Sequence, residues 1–173
     1  TAIINLNDSN PIYDNKYDER VFRSRMNKIA LKIQKAGSKD NLIIFDLGDA
    51  LDGFNAQTTR GGHSLPQNMN NKEQFNTYLD VHRKFFDRIL SNNNSYSEIY
   101  FICAANNNHG GDADYMAMKA FELYLGQINP FIKVIVSDKF ISHIEIKNGQ
   151  ELLYTMIYTH GKDDSDMKHG LPL

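Results

Sequence analysis

The sequence predicts an α/β layered domain, with parallel strand pairing early in the chain and an antiparallel hairpin late. Three observations carry that expectation. Short apolar runs at residues 2–7, 41–46, 98–105 and 131–136 alternate with longer stretches of helical periodicity. Asn148-Gly149 separates two further strand-like runs, 140–147 and 151–159, a strong signal for a type I′ hairpin. Finally, several apolar runs end in Asp, Asn or His with glycine close behind, where ligands gather in open α/β sheets.

The elements follow in order. Residues 2–7 form the first strand. Residues 18–36 place Phe22, Met26, Ile29 and Ile33 at helical spacing, and Gly37 ends the run. Residues 41–46 are a short buried strand, and 47–70 a long polar loop of the kind that is functional or disordered in compact domains. A second helix over 71–90 carries Phe75, Tyr78, Leu79, His82, Phe85, Phe86 and Ile89 on one face. An Asn-rich turn at 92–94 precedes the strand 98–105. Asp112 is placed to cap a third helix in which Tyr115, Met118, Phe121 and Leu125 point one way. There are no internal repeats.

Composition narrows the function classes. A chain of 173 residues is one domain with room for a real core. Hydrophobic content of 41% and charged content of 23% are those of an ordinary globular protein. A net charge of −2 excludes a global basic field, so any nucleic-acid contact rests on a local patch. The single Cys103 sits in an apolar strand and reads as a buried, inert thiol; no disulfide can form within the chain, which suits a reducing cytoplasm. No run is apolar enough to span a bilayer and no signal-peptide pattern occurs, so a membrane partner is not expected. The chain reads as a piece of something longer, and its oligomeric state is not legible.

Four polar clusters carry chemistry. Asn7-Asp8-Ser9-Asn10 follows the first strand, Gly48-Asp49-Ala50-Leu51-Asp52-Gly53 the second, Asn106-Asn107-Asn108-His109-Gly110-Gly111 the third, and His160-Gly161 the last. Their order and spacing resemble the calcineurin-like metallophosphoesterase superfamily across the chain, from Asp8 to His160. Thr58-Thr59-Arg60-Gly61-Gly62-His63, Asn108-His109-Gly110-Gly111 and His160-Gly161-Lys162-Asp163-Asp164 resemble phage-type members related to DNA-repair exonucleases. The short Asp element alone is weak; all four in this order are a strong signal.

The resemblance implies a layered α-β-β-α sandwich, C-terminally incomplete in this chain, and a metal-dependent phosphoesterase acting on phosphodiester bonds of DNA. It implies two divalent metal ions, Mn²⁺ first with Fe, Zn²⁺ or Mg²⁺ as alternatives, held roughly 3.5–4 Å apart to activate water for in-line attack. Asp8 and Asn10 would ligate the first metal, Asp49 would bridge, and Asn108 with His160 would complete the second. His109 would be the general acid, oriented by Asp52. Arg60, in its glycine-rich loop, would meet a substrate phosphate. The expected location is the cytoplasm, that of the host if phage-encoded.

Three positions depart from the family pattern. Asn10 stands where His is usual. Asn107 replaces the usual Gly before Asn-His, and Gly110 replaces the acidic residue after it, with Asp112 close by. The Gly-His-x-His motif, expected shortly after residue 173, does not occur. These departures keep a metal- or DNA-binding module with the fold but no turnover in play, and a phosphomonoesterase stays open because it shares the same metal chemistry.

Each residue also has a plainer role open to it. Asp8, Asp49 and Asp52 are common turn and cap residues, and Asn108-His109 makes a good polar turn. His160 could be a loop histidine. His82, on an apolar helix face, reads as a hydrogen-bonded core residue, and His143 as structural. His63 and His169 have no role defined by spacing.

Overall fold

The computed structural model describes residues 17–37, 40–54, 68–91, 96–161, 167–168 and 171–172. The expected first strand, with Asp8 and Asn10, lies outside the described residues, as do Arg60, His63 and His169. The described elements are α1 (Glu19–Ala36), β1 (Asn41–Asp46), α2 (Asn71–Leu90), β2 (Glu98–Ala104), α3 (Asp112–Ile128), β3 (Ile132–Ser137), β4 (Ser142–Asn148), β5 (Glu151–Tyr158) and the short β6 (Met167–Lys168) and β7 (Leu171–Pro172).

The protein is mixed α/β. β1, β2 and β3 pair in parallel in that spatial order, with Asp46 opposite Cys103 and Cys103 opposite Val136. Strand alternation then sorts side chains to two faces. Leu42, Ile44, Ile99, Phe101, Cys103, Ile132, Val134 and Val136 meet the helices, where Phe86, Phe101 and Phe121 form a cluster of tilted and edge-on rings. Ile43, Phe45, Tyr100, Ile102 and Ala104 face the other way, against Ile144 of β4 and Tyr158 of β5.

Each helix has local reasons for its bounds. Asp18 caps α1 by accepting from the Val21 amide at 3.0 Å. Asn70 and Glu73 form a reciprocal capping box at the start of α2. As expected, α2 buries Tyr78, His82, Phe85, Phe86 and Ile89. His82 is a core histidine: its Nδ1 bonds the Tyr78 carbonyl at 2.8 Å, and burial lowers its pKa against the pull of Asp46.

Several expectations need correction. Asp112 does not cap α3; the N-cap is Gly111, with no side-chain cap bond, and Asp112 is the first helical residue. Tyr115 is exposed rather than part of the core stripe. Three-residue steps each lag a helical turn by about 60°, so Tyr115 has drifted off the face that Met118, Phe121 and Leu125 share, and Ala113 and Ala117 fill the stripe instead. Ile29 is also exposed, along a cleft of about 380 Å³ that it lines with Phe22, Met26, Ile44 and Tyr78. The hairpin turn sits one residue later than expected. Asn148 pairs with Glu151, leaving Gly149-Gln150 as the loop; Gly149 has φ 61° and Gln150 no positive φ, the pattern of a type II′ turn.

Removing the α2 capping box by Asn70→Ala is expected to cost about 1 kcal/mol, whereas Phe121→Ala is expected to cost roughly 3–5 kcal/mol by opening a cavity under the sheet. Urea unfolding of both variants measures the contrast; equal losses would contradict this account of the core.

Candidate functional site

The parallel register brings the loops after β1 and β2 side by side, and both turn sharply. Gly48 has φ 91°, and a Cβ there would lie 2.7 Å from the Ala104 carbonyl oxygen, so the first loop crosses the end of β2 closely only because this residue lacks a side chain. Asp49 follows with φ 55°, the single non-glycine residue of positive φ among the described residues. Such backbone is uncommon outside glycine and clusters at functional sites. The second loop is wound by Asn107, whose Oδ1 accepts from the Gly110 and Gly111 amides at 2.9 and 3.2 Å.

These two loops and the end of β5 bring five of the expected site residues together. His160 Nε2 lies 2.8 Å from Asn108 Oδ1 and 3.4 Å from Asp49 Oδ1. The His109 amide donates to Asp49 Oδ1 at 3.3 Å, and His109 Nδ1 faces Asp52 Oδ1 at 3.4 Å. Asp52 is fully buried, while the His109 side chain is one-third exposed, so one edge of that ring is gripped and the other reaches solvent. Asp8, Asn10 and Arg60 lie outside the described residues. In keeping with the late antiparallel hairpin, His160 does not stand on the rim of the parallel sheet. It arrives from the separate β4–β5 sheet and closes the site from the opposite layer.

The hydrogen bonding of His160 bears on metal binding. Its Nδ1 lies 2.7 Å from the Leu47 carbonyl oxygen, an acceptor, so that nitrogen carries a proton and donates it. In the neutral ring Nε2 then has only a lone pair, yet it faces two more oxygens, of Asn108 and Asp49. A cation beside Nε2 would be met by side-chain oxygens of both Asn108 and Asp49. A backbone carbonyl fixing the far nitrogen is also the usual support of a metal-ligating histidine. The donor set of carboxylate, amide oxygen and imidazole fits a borderline divalent ion. Among the described residues no group of three or more His, Cys, Asp and Glu is placed to hold a metal; the cluster here reaches three donors only with the amide of Asn108.

Sequence reasoning missed Asp114. It is fully buried, and its carboxylate accepts from the Leu51 amide at 2.7 Å, the Ala50 amide at 2.9 Å and Asn107 Nδ2 at 2.8 Å. The signal available was an acidic residue in the first turn of a helix, which ordinarily complements the helix dipole from the surface. Gln74 was missed as well: its Oε1 accepts from the Asp52 amide at 2.9 Å, tying that loop to α2. Beside the site lies a polar cleft of about 380 Å³ lined by Asn106, Asn107, Asp112, Tyr115 and Asp138. Its two carboxylates make it a poor place for a phosphate.

The chain matches no family model, no curated protein and no solved structure. Among the described residues, no helix is long and apolar enough to cross a membrane.

Burial pushes the Asp114 carboxyl up to about 6, against the opposing pull of the Ala50 and Leu51 amides. The folded protein thus holds that proton more tightly than the unfolded chain does. The group's contribution to stability is full below pH 3.8 and is lost as pH rises through about 6. At neutral pH Asp114 is ionised and accepts all three bonds, which fix geometry at some cost in stability. A carbon-13 titration of its carboxyl should show a midpoint near 6; a midpoint at or below 3.8 would contradict this.

Proposed function

We propose that this chain is a metal-dependent phosphoesterase that hydrolyses phosphodiester bonds of DNA. The observation that carries the reading is that His160 Nε2 meets both Asn108 Oδ1 and Asp49 Oδ1, with the His109–Asp52 pair beside them. These residues lie far apart in the chain, and their order along it matches the motif order that the resemblance implies. The hairpin packed on the sheet face opposite the helices supports the layered α-β-β-α sandwich in which such sites occur.

Asp49, Asn108 and His160 would hold a divalent cation, Mn²⁺ first, with Asp8 and Asn10 serving a second. A bound cation supplies Lewis acidity toward a phosphoryl oxygen and lowers the pKa of water. The chain's own residues do the rest. His160 is locked in one tautomer by the Leu47 carbonyl, which keeps Nε2 directed at the site. Asp52 holds His109 by Nδ1, leaving Nε2 to give a proton to the departing alkoxide oxygen. Asp49 also accepts from the His109 amide, so the ligand and the acid move as one unit. Arg60 would meet a substrate phosphate as a forked donor.

Assay with Mn²⁺ on a chromogenic diester, a matching monoester and linear DNA tests the proposal. Asp49→Ala is expected to abolish hydrolysis; full activity in that variant would overturn the assignment. His109→Ala is expected to lower kcat by about 10²–10⁴ while Mn²⁺ affinity stays unchanged, as removal of a general acid does. Unchanged KM and kcat in Arg60→Ala would remove its phosphate role. Preference for the monoester would select a phosphomonoesterase, and DNA binding without turnover a non-catalytic module.

A further inference from the structure

We propose that Asp114 is the positioning residue of this site: from the first turn of α3 its carboxylate fills the space beside Gly110 and so fixes Asp49 relative to Asn108. The metal part of this inference rests on the function proposed above; the positional part does not.

Three observations carry it. The first is a coincidence of space. A Cβ on Gly110 would lie 2.0 Å from Asp114 Oδ1 and 2.2 Å from its Cγ. A side chain after His109 and the Asp114 carboxylate therefore compete for one volume. The Gly110 backbone has no positive φ, so the nearest obstacle to a side chain there is that carboxylate.

The second is the set of bonds. Asp114 accepts from Ala50 and Leu51, which lie between Asp49 and Asp52, and from the side chain of Asn107, which neighbours Asn108. One carboxylate thus links the loop carrying Asp49 and Asp52 to the loop carrying Asn108 and His109. Asn107 completes the link by taking the Gly110 and Gly111 amides on its Oδ1.

The third is burial. Asp112, two residues earlier in the same helical turn, is exposed and serves the helix dipole at no desolvation cost. Asp114 has no solvent exposure at all. A carboxylate is placed so expensively when its geometry matters.

The test uses Asp114→Asn, Asp114→Ala, Gly110→Asp and the exchange Gly110→Asp/Asp114→Ala. Mn²⁺ affinity is read by electron paramagnetic resonance, folding by thermal unfolding, and loop position by backbone amide shifts of Asp49 and Asn108. Asp114→Asn is expected to weaken Mn²⁺ binding by about 10–100-fold, as loss of a residue supporting metal ligands does. Gly110→Asp alone forces two carboxylates into one place and is expected to be worse. The exchange is expected to recover most of the affinity, because an Asp at 110 directs its carboxylate into the vacated volume.

Wild-type Mn²⁺ affinity in Asp114→Asn would overturn the proposal, since a merely structural residue lowers the melting temperature without moving affinity. An exchange variant no better than Asp114→Ala would also overturn it, and this comparison decides the matter if a single variant fails to fold. If the wild-type protein binds no Mn²⁺, the metal reading falls. The amide shifts then decide the positional claim: displaced in Asp114→Asn and restored in the exchange supports it, and undisturbed ends it.

Discussion

Everything at the candidate site depends on the parallel register of β1 and β2. With Asp46 opposite Cys103, both strands leave the sheet at one level and in one direction. The two loops that follow must turn away from each other's path within a few residues. They do so by means of a glycine packed against the Ala104 carbonyl and an Asp in left-handed backbone. An antiparallel partner would have sent one of these loops to the opposite end of the sheet, and no side-chain change could have recovered the site.

Buried hydrogen bonds hold these turns together with the core contacts of Leu51 and Ala105. Asp114, Asn107 and Gln74 are buried polar residues whose partners are mostly backbone amides and carbonyls of the two loops. Each would be costly if left unsatisfied and is specific in direction when satisfied. The aromatic layer beneath, from Tyr78 to Phe121, supplies the stability that this arrangement spends. Division of labour between a dry aromatic layer and a polar rim explains how a strained, oxygen-rich surface persists on a small domain.

The second layer contributes less area and more placement. Tyr158 packs on Phe45 and is the one buried residue of β5, and the chain leaves it toward His160. The rest of that strand is exposed, including Tyr154 and Ile157. A two-stranded sheet is marginal by itself. Here it is pinned at one end, by the Tyr158 contact and by the His160 bond to the Leu47 carbonyl. That end faces the site.

By itself the sequence determined the described elements from α1 to β5 and the residue types at their ends. Helical and alternating periodicities are local properties, so α2 and β1 fall where the pattern places them, and the order of Asp49, Asp52, Asn108, His109 and His160 could be read without coordinates. Local rules failed where a neighbour in space outbid them. Gly111 displaced Asp112 as the N-cap where Asn107 winds the preceding turn, and Tyr115 lies off the stripe by the angular drift of three-residue steps. Only the tertiary structure decided that Asp114 is a buried anchor, since nothing in a first-turn acidic residue reveals which amides will converge on it. It likewise decided which atoms His160 meets when the second sheet closes on the first, the Leu47 carbonyl and Asn108 Oδ1. Periodicity records which face of an element is apolar; which distant loops share a carboxylate is fixed only when the layers meet.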